Sequence, residues 1–167
     1  MKKFTLLFAI AFTLISSGKL KAQDGVIKVV VLGSSTAAGT GPTNSSNAWV
    51  NQYRTYLKGL NPSSEVINLA VGGYSTYQVM PSSYTPVSGK PSPDASHNIT
   101  KALSYSPDVI IVNLPTNDAA SGYTVEEQMF NYKVVLDSAA AKSVPVYVAT
   151  TQPRNLDATG RANLIAM

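Results

Sequence analysis

The stretch Val26-Ile27-Lys28-Val29-Val30-Val31-Leu32, closed by Gly33-Ser34-Ser35, decides the fold. All but Lys28 of its first seven residues are apolar, and most are β-branched. A strand with one solvated face would alternate apolar and polar residues. A continuous run reads instead as a strand buried on both faces, the signature of a parallel sheet covered by helices.

Working outward, the same grammar repeats. Asn47 to Leu60 places Trp49, Val50, Tyr53, Leu57 and Leu60 at helical intervals, and Asn61-Pro62 stops that helix. Glu65 to Leu69 is a second short strand, and Asp108 to Leu114, after Pro107, a third. Thr124-Val125-Glu126-Glu127 has the spacing of a capping box and opens a helix predicted to run to about Lys142. Val144 to Thr150 is the fourth strand, with Pro145 near its start, where a missing donor does least harm. Pro81 to Pro93 is rich in Pro, Ser and Gly and is expected to be a surface excursion, followed by a helix from about Ala95 to Tyr105. Leu156 to Met167 reads as the start of another helix, and the sheet is expected to be incomplete at this end. Strands alternating with helices imply an α/β domain.

The N-terminus has a different character. Lys2 and Lys3 precede an apolar run from Phe4 to Ile15, and small residues lead to Ala22. This is the layout of a secretory signal peptide over residues 1–22, with a mature domain from Gln23 to Met167. An uncleaved anchor is the competing reading, although the run is short for a membrane span. The expected location is therefore secreted or periplasmic, with no stable membrane insertion after cleavage. Four of the 13 basic residues lie in this leader, leaving nine against nine acidic ones. A near-neutral domain is a poor partner for nucleic acid. There is no cysteine, so disulfide staples and thiolate metal sites are excluded.

In an open parallel sheet, ligands gather at the carboxyl edge of the strands. Three segments there carry chemistry: Gly33-Ser34-Ser35, Asn68 to Ser75, and Pro115-Thr116-Asn117-Asp118. A serine at a strand-to-helix turn can act as a nucleophile, while a glycine N–H and an asparagine amide can hold a developing oxyanion. These blocks resemble those of the SGNH (GDSL-like) hydrolases. The family's Gly-Asp-Ser corresponds to Gly33-Ser34-Ser35, its Asn-to-Gly block to Asn68 and Gly73, and its Gly-x-Asn-Asp to the segment ending Asn117-Asp118. The resemblance implies a flavodoxin-like three-layer α/β/α sandwich with a parallel sheet. It also implies Ser35 as nucleophile and an oxyanion hole made of the Ser35 N–H, the Gly73 N–H and Asn117, with no cofactor and no metal.

Two departures are visible: Ser34 replaces the usual aspartate and Pro115 the usual glycine. The family's fourth block, Asp-x-x-His, is expected nowhere in this chain, so the histidine base is expected outside it and the chain alone is expected to be inactive. His97, the single histidine, does not hold the family's position and reads as a surface residue. Gly39-Thr40-Gly41 lacks the register of a phosphate loop. Tyr74, beside Gly73, is a candidate substrate contact, whereas Trp49 and Tyr77 read as core. The expected function is hydrolysis of an O-acyl ester, first an acetyl ester on a carbohydrate. A lipid ester, or glycan binding without catalysis, are the alternatives.

Overall fold

The computed structural model describes residues 25–114 and 116–167; the predicted leader lies outside them, as does Pro115. Four strands, β1 (Lys28–Gly33), β2 (Glu65–Asn68), β3 (Val109–Asn113) and β4 (Val146–Val148), form one parallel sheet in the order β2-β1-β3-β4. Val29 pairs with both Val66 and Val109, and Ile110 with Val146. The predicted α/β architecture is the observed one.

Pleating explains how a continuous apolar run serves two layers. Successive side chains of a strand point to opposite faces. On one face Val30 and Leu32 of β1 pack with Ile110 and Val112 of β3 against α3 (Ile99–Ser104) and α5 (Val125–Ala140), through Ile99, Ala102, Val135 and Ala139. On the other, Val29 and Val31 meet Ala37 of α1 (Ser35–Ala38) and Val50 and Leu57 of α2 (Trp49–Leu60). Val29 to Leu32 have no exposed surface. The chain is thus three layers, helix on sheet on helix.

The element boundaries depart from expectation where a local hydrogen bond outcompetes periodicity. α3 begins at Ile99 rather than Ala95, because the Asn98 side chain accepts from Lys101 N and fixes the N-terminus there. β4 is three residues long, since Pro145 has no N–H and Val144 N is claimed by Ala139 O at the end of α5. Its pairing still extends past both ends, through Ile110 N to Pro145 O at 3.0 Å and Ala149 N to Val112 O at 2.8 Å. The Thr124 capping box forms as the sequence predicts, with Glu127 N on Thr124 Oγ1 at 3.1 Å and Thr124 N on Glu127 Oε2 at 2.9 Å.

The predicted surface excursion contains no helix or strand, yet it is anchored. Tyr84 packs against the core cluster and Phe130, Asn98 Nδ2 donates to Ser82 Oγ, and Lys90 pairs with Glu127 at the start of α5. The Lys90 ammonium also sits 4.0 Å from the centre of the Tyr123 ring. After β4, residues 149–157 lead without regular structure to α6 (Ala158–Ala166), which packs against α4 (Thr116–Ala120). Among the described residues no helix is long and apolar enough to cross a membrane.

Candidate functional site

The strand order puts β1 between β2 and β3, so the turn after β1 has a neighbour on each side. That turn is tight. A Cβ on Gly33 would lie 2.6 Å from Ala37 Cβ and 3.0 Å from the Asn113 carbonyl, so only glycine lets β1 run directly into α1. Ser34 N donates to that carbonyl at 3.1 Å, tying the turn to the end of β3. Ser35 is the first residue of α1 and is half-buried.

On one side Val71 N donates to Gly33 O at 3.1 Å, which brings the loop after β2 alongside the serine. Gly73 in that loop has φ of 87°, in the left-handed region that side chains resist. Neither the Ser35 N–H nor the Gly73 N–H donates to any group among the described residues. On the other side Asn117, in α4 beyond β3, is oriented by two bonds. Its Nδ2 donates to Tyr74 O at 2.8 Å and its Oδ1 accepts from Arg154 Nη1 at 2.8 Å. One N–H of the amide is left over.

Ser34, Ser35, Gly73, Asn117, Gln152 and Arg154 are among the residues lining one groove of about 400 Å³. Ser35, Gly73 and Asn117, singled out from separate sequence blocks, therefore share one space. Arg154 and Gln152 carried no sequence signal, yet they form its far wall. Gln152 Oε1 accepts from Thr36 Oγ1 at 2.8 Å, which draws the segment after β4 towards α1.

Tyr74 does not line the groove. Its ring stands edge-on to His97, and its hydroxyl bonds to Asp94; what it gives the site is its carbonyl. Burial, reinforced by Asp94, pushes the Tyr74 hydroxyl up to about 12. His97 is half-buried rather than freely exposed, with Nδ1 3.1 Å from Leu69 O. Contrary to the expectation that the chain holds no Asp-x-x-His, Asp94 and His97 have that spacing, but they precede the third block instead of following the last strand. Asp94 O accepts from His97 N at 3.0 Å, and neither side chain lines the groove. The pair works as a strut beneath the Gly73 loop.

Asp118 lies just beneath the site and is fully buried. Its carboxyl accepts from Thr76 N at 3.2 and 3.1 Å and from Thr76 Oγ1 at 2.5 Å, and Thr76 Oγ1 in turn accepts from Asn131 Nδ2 at 2.9 Å. This network clamps the Gly73 loop to the helix that carries Asn117. Tyr77 is buried in the core, and Trp49 is half-buried and packs against the cluster of Val29, Val31 and Val50; the Tyr77 hydroxyl donates to Glu127 at 2.9 Å. Among the described residues no group of His, Cys, Asp and Glu is placed to hold a metal ion.

The sequence profile of the GDSL-like lipase/acylhydrolase family matches residues 31–166, the whole span that builds this groove. The chain belongs to that family. Curated protein sequences yield no match. Among solved structures the chain is similar to AlinE4, an SGNH-hydrolase family esterase, at 18% identity and a TM-score of 0.58, covering 83% of this chain and 67% of that one. It is similar to the acetyl xylan esterase AlAXEase at 18% identity and 0.58, covering 84% and 70%. A two-domain esterase active on acetylated mannans matches at 19% and 0.52, covering 74% of this chain and 29% of that one. At such identities the likeness speaks for the shared fold. The chain spans about two thirds of the length of the first of these SGNH esterases.

Proposed function

We propose that this SGNH hydrolase acts as an exported esterase on short O-acyl groups, acetyl first, carried by a carbohydrate. The carrying observation is the groove: Ser35, whose own N–H is unclaimed, shares it with the unclaimed N–H of Gly73 and with the Asn117 amide, held in one orientation. Ser35 Oγ attacks the ester carbonyl, and negative charge develops on its oxygen. The Ser35 and Gly73 N–H groups and the free Asn117 N–H receive that charge, each donor being worth ~2.7–4 kcal/mol of barrier. The alcohol leaves, and water releases the acid from the acyl-serine.

A base must take the serine proton, and among the described residues no histidine lines the groove. The family's Asp-x-x-His after its last strand is where that base would come from. Residual rate without it would rest on the oxyanion donors and binding alone.

The preference for a short acyl group on a sugar is supported by the lining. Ser34, Thr36, Thr116, Asn117, Gln152 and Arg154 present hydroxyls, amides and a guanidinium, which suit a hydroxylated ligand better than a long alkyl chain. Two similar structures are an acetyl xylan esterase and an esterase active on acetylated mannans. The predicted leader over residues 1–22 would carry the enzyme to such substrates.

The test is Ser35→Ala in the full-length protein with p-nitrophenyl acetate, butyrate and octanoate. Turnover should vanish while the melting temperature stays put, and the wild type should prefer acetate. Retained turnover in the alanine variant removes Ser35 as nucleophile. A preference for octanoate transfers the substrate to the lipid esters.

A further inference from the structure

The irregular segment after β4 is tied down at the starts of both α1 and α4. Thr36 Oγ1, one residue past Ser35, donates to Gln152 Oε1 at 2.8 Å. Thr116 Oγ1, one residue before Asn117, donates to Gln152 O at 3.4 Å. Two residues further on, Arg154 lines the groove together with Ser35, Gly73 and Asn117. Its Nη1 donates to Asn117 Oδ1 at 2.8 Å.

What this bond does is a matter of polarity. An amide side chain can be turned end for end with little change of shape, but its oxygen only accepts and its nitrogen only donates. Asn117 meets a carbonyl at one end, with Tyr74 O 2.8 Å from its Nδ2, and a guanidinium at the other. The reversed amide would set oxygen against oxygen at Tyr74 and N–H against N–H at Arg154, and both contacts would be lost. Tyr74 O alone would still prefer the nitrogen, but a single bond leaves the amide free to swing about it. With both contacts in place one orientation fits, and it keeps an N–H, not a lone pair, for negative charge.

Arg154 also brings a charge of its own. The ion pairs among the described residues join Lys28 to Glu65, Lys90 to Glu127 and Lys133 to Asp137, so none of them neutralises it. A charge-assisted bond to Oδ1 draws electron density out of the amide and strengthens its remaining N–H as a donor. We propose that Arg154 is a positioning residue for the reaction at Ser35. It holds Asn117 in the orientation, and at the donor strength, that an oxyanion needs. The inference rests on the esterase reading of the groove and adds a residue that acts through Asn117 rather than on the ester itself.

The test is Arg154→Met in the full-length protein, with p-nitrophenyl acetate as an uncharged ester. Methionine keeps a hydrocarbon stem without a donor, and the position is exposed, so the melting temperature should not move. The kcat should fall about tenfold, the worth of one charge-assisted hydrogen bond, with KM little changed, because the amide meets charge only in the transition state. In an Asn117→Ala background the same change should cost less than about twofold, since nothing is left for Arg154 to hold. A merely structural role would lower both backgrounds alike. Wild-type kcat in Arg154→Met, a loss confined to KM, or an equal loss in the two backgrounds overturns the assignment. Arg154→Ala gives the same readings should the methionine variant fail to fold.

The nuclear magnetic resonance signal of the Asn117 side-chain amide, identified by its absence in Asn117→Ala, separates this inference from the esterase reading. A shift of that signal in Arg154→Met, in a protein whose Ser35→Ala variant still turns over, keeps the hold on Asn117 and removes the nucleophile. An unmoved signal, in a protein that Ser35→Ala silences, does the reverse.

Discussion

Replacing Asp118 by asparagine should abolish one particular pH dependence of stability. Asp118 has no exposed surface, and its carboxyl accepts from Thr76 N and Thr76 Oγ1. Burial disfavours the charged carboxylate more than these hydrogen bonds favour it, and its pKa rises from 3.8 to about 6. Between those values the native protein holds a proton that the unfolded chain has released. The contribution of Asp118 to stability is therefore full below about pH 4, declines as pH rises towards about 6, and is flat above that. A displacement of about two pH units corresponds to ~3 kcal/mol, or roughly 10 °C in melting temperature for a domain of this size.

The assay is urea unfolding of wild type and Asp118→Asn at several values between about pH 4 and pH 7, provided that the slopes agree. Asp94, bonded to the Tyr74 hydroxyl, is held below the usual range, so its contribution has the opposite sign and is lost only as pH falls below this window. The quantity to follow is thus the gap between the two proteins. Wild type should gain on the variant by about 3 kcal/mol as pH falls across the window. A constant gap would show that Asp118 does not titrate there. A gap moving the other way would mean that the Thr76 bonds outweigh burial and hold a carboxylate, which refutes the reasoning.

Two further outcomes test the site and its scaffold. Asn117→Ala in the full-length protein should lower kcat by about 10²–10³ with KM little changed, because its free N–H meets charge that exists only in the transition state; steady-state kinetics with an acetyl ester decide it, and a pure rise in KM would make Asn117 a binding residue. Gly33→Ala should destabilise by about 1–3 kcal/mol in urea melts, since its Cβ would press on Ala37 Cβ and the Asn113 carbonyl, whereas the same change at Gly59, where a Cβ meets nothing within 4 Å, should be neutral or stabilising.

How much of this was legible follows from what kind of interaction carries each feature. β1 and β3 were readable because two-sided burial writes itself as an unbroken apolar run. The Thr124 capping box was readable because both of its bonds are local. The start of α3 was misread because Asn98 also serves as a cap, and an apolar pattern does not reveal where a side chain bonds its own backbone. Arg154 was invisible for a different reason. It is exposed, it lies in an irregular segment, and its partner Asn117 is 37 positions away. Tyr74 contributes a carbonyl, a role to which its side chain gives no clue.

Strand order supplies what no single block could. Taken along the chain, Ser35, Gly73 and Asn117 follow the first, second and third strands, and a sheet with strands in that simple order would place Ser35 at one side. Neighbouring strands lie ~4.8 Å apart, so the asparagine would then sit about 10 Å from the serine, too far for both to contact one carbonyl. The observed order, β2-β1-β3, puts the serine in the middle, with glycine and asparagine each one strand away. That inversion follows from the chain itself. β1 is the most completely buried strand and must be covered on both flanks, and the segment between β2 and β3 is long enough to cross over it. The burial that makes β1 the centre of the core therefore also makes its end the centre of the groove.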